Sequence, residues 1–198
     1  MASAPRIPPG TRSDVGTLNF LIASALGRVA GTGPLNIMTT LGRHRRLFRR
    51  WLRFAGGLMP GGTLPRTDSE LVILRCAHNC SSPYEWEHHQ RIGALEGLSQ
   101  ADIERVKAGP DADGWSERQA ALLRATDELH ANRTISDGAW DGLARHLGEK
   151  ELIELCLLVG HYEMIAMTLN SLGTPLDRVP ERPGRVAQAV TRLRKRRR

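Results

Sequence analysis

From residue 17 onward, apolar positions recur at intervals of three and four, and Val and Ile fall inside these intervals rather than in alternation. The pattern predicts a helix over 17–30, ending near Gly31, and a second over 35–55 with Leu41, Leu47, Phe48, Trp51, Leu52 and Phe54 on its apolar side. "GGLMPGGTLP" then breaks the chain. Thr67 to Glu70, "TDSE", reads as a capping box opening a helix over about 68–78. "SPYE" repeats the device, with Ser82 as N-cap, Pro83 as first helical residue and Glu85 as third, and Gly97 stops that helix after Glu96. Further helices are expected in "QADIERVKA" after Ser99, over 116–131 and 137–146, and over 149–172, closed by Gly173 and Pro175. No strand is expected. The fold class is all-α, a single helical domain of about seven or eight helices spanning 16–180. Pro5, Pro8, Pro9 and Gly10 make residues 1–15 a loose N-terminal segment, and residues 181–198 form a basic tail.

Composition sharpens this picture at three points. A chain of 198 residues with 40% hydrophobic content can bury a substantial core. No run of 18 apolar residues occurs, so no membrane span is expected, and "LNFLIASALG" is short and lacks a following small-residue cleavage site. Residues 181–198 hold eight basic side chains and one acid, which is the whole formal net charge of +7, so the body is neutral. A neutral body argues against a nucleic-acid-binding fold. The tail could touch nucleic acid or an anionic surface, but a solvated terminus is the simpler reading. The three cysteines, Cys76, Cys80 and Cys156, fit reduced thiols in a cytoplasm. Cys76 and Cys80 share a helical face and could form a redox or metal pair, although two buried small hydrophobes are the simpler assignment.

Candidate chemistry concentrates in "SSPYEWEHHQ", residues 81–90. Tyr84 and His88, and Glu85 and His89, are each four apart and share a face of the helix. A carboxylate beside an imidazole raises its affinity for a proton and fixes its tautomer, which suits proton transfer near neutral pH. If the two helices form a hairpin, Glu70 comes near this cluster. The competing reading is structural: Glu70 and Glu85 cap their helices, His89 is a surface residue supported by Glu85, and Tyr84 and Trp86 are packing. No metal site is expected here, since adjacent helical histidines point about 100° apart. Phosphate-loop, dinucleotide-binding and zinc-finger motifs are absent from the sequence.

The stretch "SELVILRCAHNCSSPYEWEHHQRIGALEGLSQADIERV" resembles the carboxymuconolactone decarboxylase family, which includes the alkylhydroperoxidase D proteins. "LRFAGGLMPGGTLPRTDSELVILR" is similar to the family's lead-in, and "LIELCLLVGHYEMIAMTLNSLGTPLD" to its closing helix, so the resemblance covers roughly residues 35–177. It implies an all-α fold and a homo-oligomer, a trimer, hexamer or dimer. The peroxidase branch of the family spaces a Glu, two Cys and a His as Glu70, Ser82, Glu85 and His89 are spaced here, so Ser82 and Glu85 stand where that branch has its thiols. Serine and glutamate cannot carry dithiol chemistry. The lactone decarboxylase branch has a Glu four residues before its His, as Glu85 and His89 are, but offers Glu70 no equally clear match.

Together these readings lead to a cofactor-independent lyase or isomerase acting on a small acidic carbonyl or lactone compound, in aromatic catabolism or secondary metabolism. His89 is the acid/base, Glu85 its partner and Glu70 a further catalytic candidate. Tyr84, His88, Ser82 and Trp86 are candidate substrate contacts, with Arg75 and Arg91 the cations nearby in sequence. Two alternatives remain: a thiol-dependent peroxidase using Cys76 and Cys80, and a non-catalytic binding or assembly protein whose working part is the basic tail.

Overall fold

A computed structural model describes residues 4–179 of the chain. Ten α-helices occur among them, with no strand: α1 (Arg12–Val15), α2 (Thr17–Ala30), α3 (Asn36–Leu41), α4 (Arg45–Leu58), α5 (Arg66–Asn79), α6 (Pro83–Glu96), α7 (Gln100–Ala108), α8 (Glu117–Asn132), α9 (Asp137–Ala144) and α10 (Glu149–Leu172). The basic tail, residues 181–198, lies outside the described residues. Contacts group the chain into two compact units, residues 4–55 with 169–179, and residues 56–168.

The first unit departs from expectation in two places. Residues 4–15 are not a loose segment: α1 is a helical turn closed by a capping box between Thr11 and Asp14, and the Arg6 amide donates to the Leu172 carbonyl. The helix expected over 35–55 is two helices. Val15 packs so close to Gly42 that a Cβ there would lie 3.2 Å from its side chain, and the chain turns at this contact before α4 begins. α2 ends as predicted, with Gly31 in the left-handed region at φ 77°.

The second unit is built around α5. Asp68 through Leu74, Cys76 and Ala77 are all buried, so this helix is enclosed rather than amphipathic. α6, α7 and α8 pack on it. Val72, Ile73 and Cys76 join Leu122, Ala125, Leu155, Leu158 and Val159 in one core cluster, and Leu71 and Leu74 join Leu98, Ile103, Val106 and Leu123 in another. Each such aliphatic side chain contributes roughly 1.5–3 kcal/mol on burial. Ser99 caps α7 as the sequence predicts, and Ser116 and Ser136 cap α8 and α9 in the same way, each serine accepting a backbone N–H at the third helical position. Glu154 of α10 secures the break before α5, its carboxylate accepting from the Thr63 and Leu64 amides and the Thr63 hydroxyl. α10 is long and apolar enough to cross a membrane by length and composition, with a mean hydropathy of 1.5. It nonetheless supplies Leu155, Leu158, Val159 and Tyr162 to the core.

Candidate active site

The predicted capping roles of the two glutamates are not realised. α5 starts at Arg66 after Pro65, so Glu70 is its fifth residue, and Thr67 donates to the Glu96 carbonyl instead of capping. Ser82 does precede Pro83 in the N-cap position, but its hydroxyl makes no cap bond. Both carboxylates are thereby available to a third group.

That group is His89. Residues 80–82 connect α5 to α6, with Ser81 in the left-handed region at φ 48°, and the two helices pack side by side. Gly93 allows the close approach. A Cβ there would stand 3.6 Å from the Glu70 Cβ and 3.0 Å from Leu98 Cδ1. One turn before Gly93, His89 Nδ1 donates to Glu70 Oε2 at 2.7 Å. On the other side of the ring, Nε2 lies 3.4 Å from Glu85 Oε2, one helical turn back. Glu70 is wholly buried, and Glu85 and His89 are buried as well. Burial alone would pull the imidazole's pKa down, but the charge and hydrogen bond of Glu70, then those of Glu85, outweigh it and raise it to about 9. His89 is therefore an imidazolium at neutral pH. The two carboxylates sit at opposite ring nitrogens, so they do not converge on one point as metal ligands would.

Side chains that the sequence did not single out complete the cluster. Tyr162 of α10 sets its ring edge-on to His89, with centroids 5.1 Å apart, and His161 packs edge-on against Tyr162 at 5.2 Å. Burial, then the charges of Glu85 and Glu70, push the Tyr162 phenol well above its usual range, so it keeps its proton. Arg66 reaches Glu70 Oε1 at 3.3 Å and also contacts the Met59 sulfur. These residues lie far from "SSPYEWEHHQ" in sequence or before the apparent capping box, and the one signal for Tyr162 was the family resemblance of its helix.

The proposed substrate contacts divide. His88 packs against His89 at 5.5 Å and stacks on Tyr84 at 6.3 Å. Burial, then the charges of His89 and Arg91, lower the His88 pKa to about 3, so it is neutral. The Ser82 hydroxyl, His88 Nδ1 and one Arg91 nitrogen are buried with no hydrogen-bond partner among the described residues. Trp86 is not brought to this cluster. It packs with the Leu71 and Leu74 core, under Lys107 at 5.0 Å and beside His78. Arg75 is also elsewhere, held by Asp127 at 2.6 Å and by the Val106 carbonyl. Neither cysteine of the 76/80 pair is disposed to be a thiolate. Burial raises Cys76 well above its usual range, and burial with the Glu163 charge raises Cys80 to about 11.

Residues 45–128, which contain Glu70, Glu85 and His89, match the sequence profile of the Carboxymuconolactone decarboxylase family. No curated protein matches the chain. Among solved structures it is similar to an uncharacterized peroxidase-related protein from Silicibacter sp. TM1040 (TM-score 0.74, 11% identity, 90% of this chain and 96% of that one). It is similar also to an alkylhydroperoxidase AhpD core protein from Ralstonia eutropha JMP134 (TM-score 0.70, 16% identity, 96% and 98%). A third is the debrominase Bmp8, in a variant complexed with 2,3,4-tribromopyrrole (TM-score 0.71, 15% identity, 98% and 100%). At these identities the structures speak to the fold alone. The segment 45–128 thus matches the carboxymuconolactone decarboxylase family, and the chain shares its all-α fold with alkylhydroperoxidase D-like structures.

Proposed function

We propose that this protein is a proton-transfer enzyme of the decarboxylase or isomerase type, acting without a cofactor on a small acidic carbonyl or lactone compound in a cytoplasm. The observation that carries the reading is the buried imidazole of His89 clasped between Glu70 and Glu85. Glu70 holds one nitrogen tightly. The looser Glu85 contact is where a substrate oxygen or carbon is received. In a decarboxylation the C–CO2 bond breaks, carbon dioxide leaves, and the electron pair stays on the carbon, delocalised onto the neighbouring carbonyl oxygen as an enolate. The His89 Nε2–H stabilises that oxygen, and the His89–Glu85 pair then delivers a proton to the carbon and regains one from water. An isomerisation uses the same pair with the proton taken from one carbon and returned to another. The buried polar atoms of Ser82, His88 and Arg91 are suited to polar atoms of the substrate, and Arg66 is the guanidinium placed on the cluster.

A dithiol peroxidase reading is disfavoured by the neutral, desolvated thiols of Cys76 and Cys80. We also propose a homo-oligomer. Its support is the stripe of exposed apolar side chains Ile153, Leu157, Met164 and Met167, spaced along one side of α10. The reaction is tested by following carbon dioxide release and double-bond migration across a panel of carboxylated lactones, with chelator present. Turnover by the native protein that disappears in His89→Ala, with the fold retained by circular dichroism, supports the proposal. Equal turnover by the variant removes it.

A further inference from the structure

The structure brings a second group of reactive side chains together at the opposite end of α5 from Glu70. Cys80 caps the C-terminus of α5, His130 lies in the last turn of α8, and Glu163 is a buried residue of α10. Their donor atoms all lie within 4.8 Å of one another. Cys80 Sγ is 3.9 Å from His130 Nδ1 and 3.8 Å from Glu163 Oε1, and His130 Nδ1 is hydrogen-bonded to that same carboxylate oxygen. The acid/base function proposed for His89 makes no use of any of them.

We propose that Cys80, His130 and Glu163 form a three-ligand site for a zinc-like divalent cation, with a fourth position open to water or a small ligand. A nucleophilic triad would need the imidazole to bridge, with thiol and carboxylate on different nitrogens. Here both face Nδ1, so the three donors converge on one point. The thiol's separations from the other two donors already suit bonds of about 2.0–2.3 Å to a shared tetrahedral ion. Only the His130–Glu163 hydrogen bond has to open, by roughly 1 Å on the same geometry. Arg133, which pairs with the other oxygen of Glu163, has a largely exposed side chain that can swing into solvent as the ion takes its place. Sulfur, nitrogen and oxygen donors together favour zinc, cobalt or nickel over magnesium and calcium. The C-terminal ends of α5 and α8 add negative partial charge beside the site. Cys80 and His130 are partly exposed, which leaves a path for entry and for the fourth ligand. Binding would fasten the ends of three helices, and one proton leaves the thiol as the metal–sulfur bond forms.

The test is titration of the chelator-treated full chain with cobalt(II), then zinc(II). One equivalent of cobalt is expected to bind per chain with a thiolate-to-cobalt charge-transfer band, which zinc displaces, and zinc is expected to raise the melting temperature. Cys80→Ser should lose the band and the melting shift. His130→Ala and Glu163→Gln should weaken binding by roughly tenfold or more. Cys156→Ser should behave as the native chain, and each variant's metal-free circular dichroism separates lost binding from lost fold. Absence of stoichiometric binding, a cobalt spectrum without sulfur ligation, or a band that survives in Cys80→Ser would overturn the proposal.

Discussion

At the scale of single residues, His89 accounts for most of what this protein is expected to do with pH. Its imidazole keeps a proton up to about pH 9 in the folded chain, whereas an unfolded histidine releases it near about 6.5. The clasp therefore contributes fully below pH 6.5, and that contribution is lost as pH rises through 9, a change of about 3 kcal/mol from this group alone. Urea unfolding of the native chain and His89→Gln across pH 6–10 isolates it, and the difference between them should shrink as pH rises. His88 acts in the opposite window. Held neutral down to about pH 3, it contributes above pH 6.5 and loses that contribution as pH falls toward 3. In turnover, His89→Ala should cost about 10²–10⁴-fold. Glu70→Gln leaves the imidazole in place but lowers its pKa, so the alkaline limb of the pH–rate profile should move to lower pH. A role for Glu70 in packing alone would leave that limb where it is.

At the scale of helices, the pairing of α5 with α6 sets the site, and Gly93 is its close contact. A valine there would press on Leu98 and Glu70, costing about 1–3 kcal/mol and drawing Glu70 from His89, so both melting temperature and turnover should fall. Glu154 holds the connection ahead of α5. Glu154→Ala leaves the buried Leu64 amide without its acceptor and frees the Thr63 amide, which costs about 2 kcal/mol and should lower Tm by roughly 4–8 °C without changing the pH–rate profile. This is also the scale at which the sequence reads best. Ser99 and Gly97 are local signals, and they mark helix ends where the structure has them. "TDSE" misleads because Pro65 already starts α5, which leaves Thr67 free to bond across to Glu96. The split between α3 and α4 falls over residues 42–44, where Val15 packs on Gly42, a contact no local pattern announces.

At the scale of the whole molecule, the Glu85–His89 half of the site was legible because four-residue spacing is a property of one helix. Glu70 needed a hairpin, which the short connection over residues 80–82 makes easy to anticipate. Tyr162 and Arg66, like the Cys80, His130 and Glu163 cluster, depend on which helices pack together, and periodicity carries none of that information. The exposed stripe on α10 belongs to this scale too. If the proposed oligomer forms through this stripe, Leu157→Glu should shift its sedimentation toward the monomer while leaving helicity unchanged, and a monomeric native chain would remove the proposed assembly.

The protonation of His89 tests the central claim without knowledge of the substrate. Two-dimensional NMR of ring-labelled histidine, titrated from pH 5 to 10.5 and assigned with His89→Gln, reads it directly. The proposed clasp predicts an imidazole that titrates near 9 and falls in both Glu70→Gln and Glu85→Gln. A His89 that titrates at or below 6.5, or is unmoved by either substitution, would contradict the account.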